Sequence, residues 1–213
     1  MPGSPARIRS SILSELRDYC AARGLALQPI LDDAGIDRSA LEDCNALVPL
    51  DPTMHAFDRV ARALADPLLG LNFAKEFKPG GSGIAGALML CAPNVREAVR
   101  QLAGLVQAHS PQVEATFAER DGSGYLSWRY PDTITAPRFQ FVVFGACSIV
   151  LRLRSGAGPN WRPLAVEFDH SAPAVDIAPL KEVLGERIRF ERPQNVIQID
   201  GFALARPMKF ANQ

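Results

Sequence analysis

Phe139-Gln140-Phe141-Val142-Val143-Phe144-Gly145-Ala146-Cys147-Ser148-Ile149-Val150-Leu151 is the most apolar stretch of the chain, fenced by Arg138 and Arg152. Thirteen residues fall short of the roughly 20 that span a bilayer. A segment apolar on every side must be buried on every side, so the rest of the chain has to cover it. Periodicity cannot separate helix from strand when almost every position is apolar. Length decides for helix, since strands run about 4–8 residues, although the β-branched and aromatic content pulls the other way. A helix over 138–154 would lie against whatever precedes and follows it.

What precedes it is a hairpin. Val113, Ala115 and Phe117 alternate with Gln112, Glu114 and Thr116. Asp121-Gly122-Ser123-Gly124 makes the turn, and Leu126, Trp128 and Tyr130 alternate with Tyr125, Ser127 and Arg129. One apolar and one polar face per strand is the pattern of a sheet covered on one side. Before the hairpin, Asn94 opens an amphipathic helix over 94–109. Its stripe is Val95, Ala98, Val99, Leu102, Leu105, Val106 and His109. The buried run would be the wall shared by this helix and the hairpin. After it, Leu164, Val166 and Phe168 read as a strand and 177–184 as a short helix. Ile188 and Phe190 read as a strand, Val196, Ile197 and Ile199 as an edge strand, and 202–205 as one helical turn.

The N-terminal third reads as helical. Residues 1–9 are a loose lead. Ser10 or Ser11 with Glu15 offers a capping box to a helix bearing Ile12, Leu13, Leu16, Tyr19 and Cys20, stopped at Gly24. Residues 28–34 and 39–43 form short helical pieces. Asp51-Pro52 and Asp66-Pro67 each combine an N-cap acid with a proline at the first helical position. Pro79-Gly80-Gly81-Ser82-Gly83 then breaks the chain. It lacks the Lys-Ser/Thr of a phosphate-binding loop and reads as a plain loop. The expected class is α+β. One domain is expected over 1–213, with a helical part over 1–78 and an α+β core over 84–213.

Composition narrows function. Hydrophobic residues are 47% of 213, enough for a sizeable core. Twenty-three basic residues balance 23 acidic ones, whereas a free-standing nucleic-acid binder carries a basic excess. Arg187, Arg189, Arg192, Arg206 and Lys209 make only a mildly basic end and read as a solvated face. Cys20, Cys44, Cys91 and Cys147 form no CxxC, so neither a disulfide framework nor a zinc site is expected. No secretory signal precedes the first helix. The cytoplasm is therefore the expected compartment, with no membrane contact.

Candidate chemistry is sparse. No GxSxG elbow, dinucleotide fingerprint or paired histidines occur, and no metal or cofactor is expected. Asp169-His170 could supply a base for a small hydrolase-like enzyme, or His170 could close a turn before Pro173. His109 ends an apolar stripe. It is either a histidine at a helix C-terminus, where its charge suits the dipole, or a polar anchor in an apolar ligand pocket. In the second reading Phe117, Trp128, Tyr130, Phe141 and Phe144 are its candidate walls. Tyr125-Leu126-Ser127-Trp128-Arg129 fits YxSxR, which resembles the propionate-binding signature of heme nitric-oxide/oxygen-binding sensors. His109 lies sixteen residues upstream, closer than that family's spacing.

A longer succession carries a broader resemblance. It runs from Asp66-Pro67-Leu68-Leu69-Gly70-Leu71 to Pro93-Asn94-Val95-Arg96-Glu97-Ala98. It continues through Val166-Glu167-Phe168-Asp169-His170-Ser171-Ala172-Pro173, Val183-Leu184-Gly185, Ile188-Arg189-Phe190 and Pro193-Gln194-Asn195 to Ile199-Asp200, Leu204 and Pro207. This order resembles the N-terminal effector-binding domain of AraC/XylS-type bacterial transcriptional regulators, in the arabinose-binding-like branch. The resemblance covers most of the chain, more weakly over the first sixty residues. It implies a sensor domain rather than an enzyme, one that binds a small effector and forms a homodimer. DNA would be bound through a C-terminal domain of two helix-turn-helix units, which these residues do not contain. The chain would then be either part of a regulator or a free-standing sensor.

Overall fold

The computed structural model describes residues 5–43, 45–78, 88–209 and 211. In chain order the elements are β1 (Arg7–Arg9), α1 (Ser11–Ala21), α2 (Gln28–Asp33), a 3-10 turn (Arg38–Leu41), β2 (Leu47–Pro49), α3 (Leu50–Ala63) and α4 (Leu69–Glu76). Then come α5 (Val95–His109), β3 (Glu114–Arg120), β4 (Ser123–Arg129) and α6 (Phe139–Ala157). The chain closes with β5 (Ala165–Glu167), α7 (Ala178–Leu184), β6 (Ile188–Arg189), β7 (Asn195–Asp200) and α8 (Gly201–Ala205). The fold is α+β. The glycine-rich segment 79–83 and Cys44 lie outside the described residues.

The apolar run is a helix, and it is longer than thirteen residues. α6 continues through Arg152 and Arg154 to Ala157. Nineteen residues of this composition could cross a membrane by length alone, but more than half of the helix is buried inside the protein. Its arginines are held by carbonyls: Arg154 donates to Trp161 O, Glu182 O and Val183 O. One side of α6 packs on α4, where Phe144 stacks on Phe73 at 4.8 Å and meets Phe77 edge-on at 4.9 Å. Phe57 of α3 meets Phe141 at 5.2 Å. Backbones touch at Gly70, whose N–H donates to the buried Gln140 side chain at 2.9 Å.

The sheet order is β3-β4-β7-β5-β6. All pairs are antiparallel except β5–β6. The hairpin turn is tighter than the sequence suggests. Asp121 (φ 50°) and Gly122 (φ 73°) make the whole two-residue loop, as a type I′ turn requires. Ser123 and Gly124 already belong to β4. β7, expected at an edge, is the central strand, paired with β4 on one side and β5 on the other. Its Ile197 and Ile199 are fully buried. Pro193 stops short of the strand, so no ladder donor is lost.

Three N-terminal expectations also change. Residues 7–9 are no loose lead: β1 pairs antiparallel with β2, Ile8 opposite Val48. Three-residue strands are too short to display alternation. Ser10 sits at the α1 N-cap but makes no cap bond; its hydroxyl donates to Asp43 O instead. α3 starts at Leu50, one residue before the expected acid. That frees Asp51 to accept from the Thr135 and Ala136 amides at 2.6 and 2.8 Å, which ties down the loop before α6. Cys20 and Cys147 are buried, whereas Cys91 is exposed.

α5 is capped by Asn94, whose side chain accepts from Glu97 N. Gly104, on its exposed face, has nothing within 4 Å of where a Cβ would stand. Gly104→Ala is therefore expected to raise stability by about 0.5–1 kcal/mol, read by urea unfolding, because only the helix-entropy term changes.

Candidate functional site

Between Phe141 and Val150, every residue of α6 is buried except Gly145 and Ile149. These two are one turn apart, so they share a face. That face opens onto a cavity of about 180 Å³. α5 contributes Leu102, Val106 and His109, and the hairpin contributes Val113, Ala115, Leu126, Trp128 and Tyr130. α6 contributes Phe141, Phe144, Gly145, Ser148, Ile149 and Arg152, and Ile8, Ile12, Leu50, Met89 and Ser110 close the remainder. The lining is mostly hydrocarbon, with a few placed polar groups, which is the make-up of a small-molecule site. The volume is close to that of an engineered apolar cavity that binds benzene.

Five of the six residues expected to line a pocket stand on this cavity: His109, Trp128, Tyr130, Phe141 and Phe144. Phe117 does not. It shares a strand face with Ala115 but lies one pleat further along. There its ring packs against Gly124 and Leu204, within about 3 Å of a Cβ placed on that glycine. Gly145, Ser148, Ile149 and Arg152 were missed. Continuing from Phe141 and Phe144 in steps of three and four reaches all four of them, so the helical reading of α6 already held that signal.

The cavity is polar at its ends. Tyr130 packs edge-on to Phe141 at 6.3 Å. Arg152 lies eleven residues on, about 16 Å along the helix axis. Burial raises the Tyr130 phenol, partly offset by the Trp128 indole N–H. His109 is half-buried. Burial and the nearby Arg9 guanidinium lower its pKa to about 4, so it is neutral at pH 7. Burial also lowers Arg152, to about 10, which leaves it charged. The Ser148 hydroxyl is buried with no hydrogen-bond partner among the described residues.

The His109 shift predicts acid sensitivity. Its folded pKa lies below the unfolded value near 6.5, so the unfolded chain binds more protons between them. The stability it contributes is complete above about pH 6.5 and is lost as pH falls toward 4, by about 2–3 kcal/mol. Burial lowers His170 as well, so the readout must be a double difference. Urea unfolding of wild type and His109→Gln at pH 7.5 and pH 4.5 should show the smaller acid loss in the variant.

The two alternative chemistries lose their geometry. The Asp169 carboxylate is taken up by Arg138, at 2.8 Å. The His170 ring stacks on Phe168 at 5.2 Å, with Nδ1 2.9 Å from Ser171 O. Its Nε2 is buried and has no hydrogen-bond partner among the described residues. The YxSxR residues point out of the other face of β4. Tyr125 accepts from Gln198 at 3.0 Å, Ser127 meets Thr116 at 3.3 Å, and Arg129 pairs with Asp132 at 3.0 Å. His109 is on the cavity side, so strand alternation separates it from the motif by the thickness of the sheet. Among the described residues no cluster of three potential metal ligands occurs.

Comparison with known proteins agrees with the geometry. No curated protein sequence matches the chain. Among solved structures, the transcriptional regulator CdpR from Pseudomonas aeruginosa shares the fold. Its TM-score is 0.59 at 14% identity, covering 86% of this chain and 56% of that one. The chain thus spans a little over half the length of that regulator. The family pattern described as the arabinose-binding domain of AraC transcription regulator, N-term, matches residues 24–208. The α+β chain around this cavity therefore belongs to the N-terminal arabinose-binding domain family of AraC transcription regulators.

Proposed function

We propose that this chain is the ligand-sensing half of a bacterial transcription regulator, working in the cytoplasm as a homodimer. A small effector enters the cavity between α5, α6 and the hairpin. DNA is bound by a separate domain, and the chain itself performs no catalysis. The observation that carries this reading is the cavity, placed where three elements meet. An occupant contacts helix and sheet at once, so it can favour one arrangement of them over another, and only such differential affinity shifts an equilibrium. His109 and Tyr130 at one end would orient the effector, with Trp128, Phe141 and Phe144 as its apolar walls.

A thermal-shift survey of small metabolites tests it. Specific stabilisation by one chemical class is expected, at roughly 2–4 °C per kcal/mol for a chain of this size. A flat profile across all classes, including apolar probes the size of toluene, would sink the sensing role. Sedimentation velocity tests the dimer, whose expected result is a species of twice the chain mass at micromolar concentration.

A further inference from the structure

Arg152 and two serines form a polar stripe along the C-terminal half of the mainly apolar α6. Ser148, Arg152 and Ser155 follow one another at four- and three-residue spacing, so they project from one face. Ser148 and Arg152 line the apolar cavity. They also line a second hollow, with Ser155, Lys75 and Phe77, on the side toward α4. The stripe is thus the junction of the two. The Ser148 and Ser155 hydroxyls are both shielded from solvent and have no hydrogen-bond partner among the described residues. The Arg152 guanidinium lies over the Phe77 ring at 5.0 Å and reaches the Ser148 and Lys78 carbonyls at 3.3 and 3.4 Å. Among the described residues neither lining includes an acidic side chain.

From this we infer that the effector is a small amphipathic carboxylate, a medium-chain or single-ring acid. Its hydrocarbon body fills the cavity and its carboxylate sits on the Ser148–Arg152–Ser155 stripe. The inference rests on the cavity being the effector site and names the class of effector. The chemistry is complementary at both ends. Buried hydroxyls that lack an acceptor are hydrogen-bond donors in waiting, and a guanidinium beside them supplies the charge that a carboxylate requires. The cavity, at about 180 Å³, accommodates about one substituted ring or a medium-length acyl chain. Lys75 adds a second positive group at the outer edge.

The test is calorimetric titration of the 213-residue chain at pH 7.5 with octanoate and 4-methylbenzoate. Octanamide and 4-methylbenzamide serve as neutral isosteres, and toluene as a probe of the bare cavity. The acids are expected to bind at least tenfold more tightly than the amides. Arg152→Met, which keeps an apolar stem, should bring acid and amide to parity. If Arg152→Met does not fold, Ser148→Ala/Ser155→Ala carries the test and should cut the acid preference several-fold. Equal binding of acids and amides to wild type would overturn the carboxylate assignment and leave the cavity reading standing. An acid preference that survives in the variants would overturn the placement on this stripe. Failure of acids, amides and toluene alike would overturn the cavity reading itself.

Discussion

Gly70→Ala is expected to destabilise the protein by about 3–5 kcal/mol, one methyl group notwithstanding. A Cβ at residue 70 would stand 2.1 Å from Gln140 O and 3.0 Å from Phe144 N. Both are backbone atoms of α6, so neither can rotate away as a side-chain tip would. The remaining response is to push α4 from α6, and overpacking of this kind costs about 1–3 kcal/mol. Separation also breaks the Gln140 clamp. That side chain accepts from Gly70 N at 2.9 Å and donates to Pro67 O at 2.9 Å. Gln140 is buried, and a buried amide left without its partner costs about 1–3 kcal/mol more. The Phe73–Phe144 stack sits one turn away on the same interface, so it loosens with the helices. Urea unfolding measures the change. Gln140→Leu, which removes the clamp but adds no steric conflict, should cost about 1–3 kcal/mol. A Gly70→Ala protein within 1 kcal/mol of wild type would mean that α4 and α6 do not meet at this point.

What the sequence conveyed and what it withheld both have physical causes. α5 was legible to the residue, because an N-cap asparagine and a helical stripe are local signals that tertiary contacts did not override. α6 was legible as buried and helical, but its end was not. Arg152 and Arg154 look like a boundary until carbonyls 7 to 29 residues away take up the Arg154 donors. β1–β2 pairs residues about forty apart in three-residue strands, and no window of sequence records such a ladder. β7 resembled an edge strand because of Pro193; its central place is set by strand order, a long-range property. At the site, aromatic residues on alternating strand positions pointed to the cavity, and alternation also shows why YxSxR and His109 cannot cooperate. Phe117 shared the right face at the wrong height. The Ser148–Arg152–Ser155 stripe was hidden because a charge at the end of an apolar run reads as its terminus rather than as part of its face.

Gly145→Leu is expected to abolish occupancy of the cavity while making the protein more stable. Gly145 faces the cavity, and nothing lies within 4 Å of where its Cβ would be. A helix-interior glycine costs about 0.5–1 kcal/mol relative to alanine through backbone entropy. A leucine there would recover that and bury its hydrocarbon in space now empty, worth about 1.5–3 kcal/mol at most when the side chain fits. A net gain of about 2 kcal/mol would raise the midpoint by roughly 4–8 °C. The added side chain takes up much of a 180 Å³ space, so toluene or octanoate binding should weaken at least a hundredfold. Gly145→Ala separates the two effects: it should stabilise by about 0.5–1 kcal/mol and reduce binding only a few-fold, since one methyl leaves most of the volume. The same change, glycine to alanine, is therefore predicted to have opposite signs at residues 70 and 145. The first meets the backbone of a packed helix and the second meets a void. Ligand binding undiminished in Gly145→Leu would place the occupant elsewhere. A Gly145→Leu protein less stable than wild type would mean that the cavity closes in solution and cannot take the side chain, which would remove the volume on which effector binding depends.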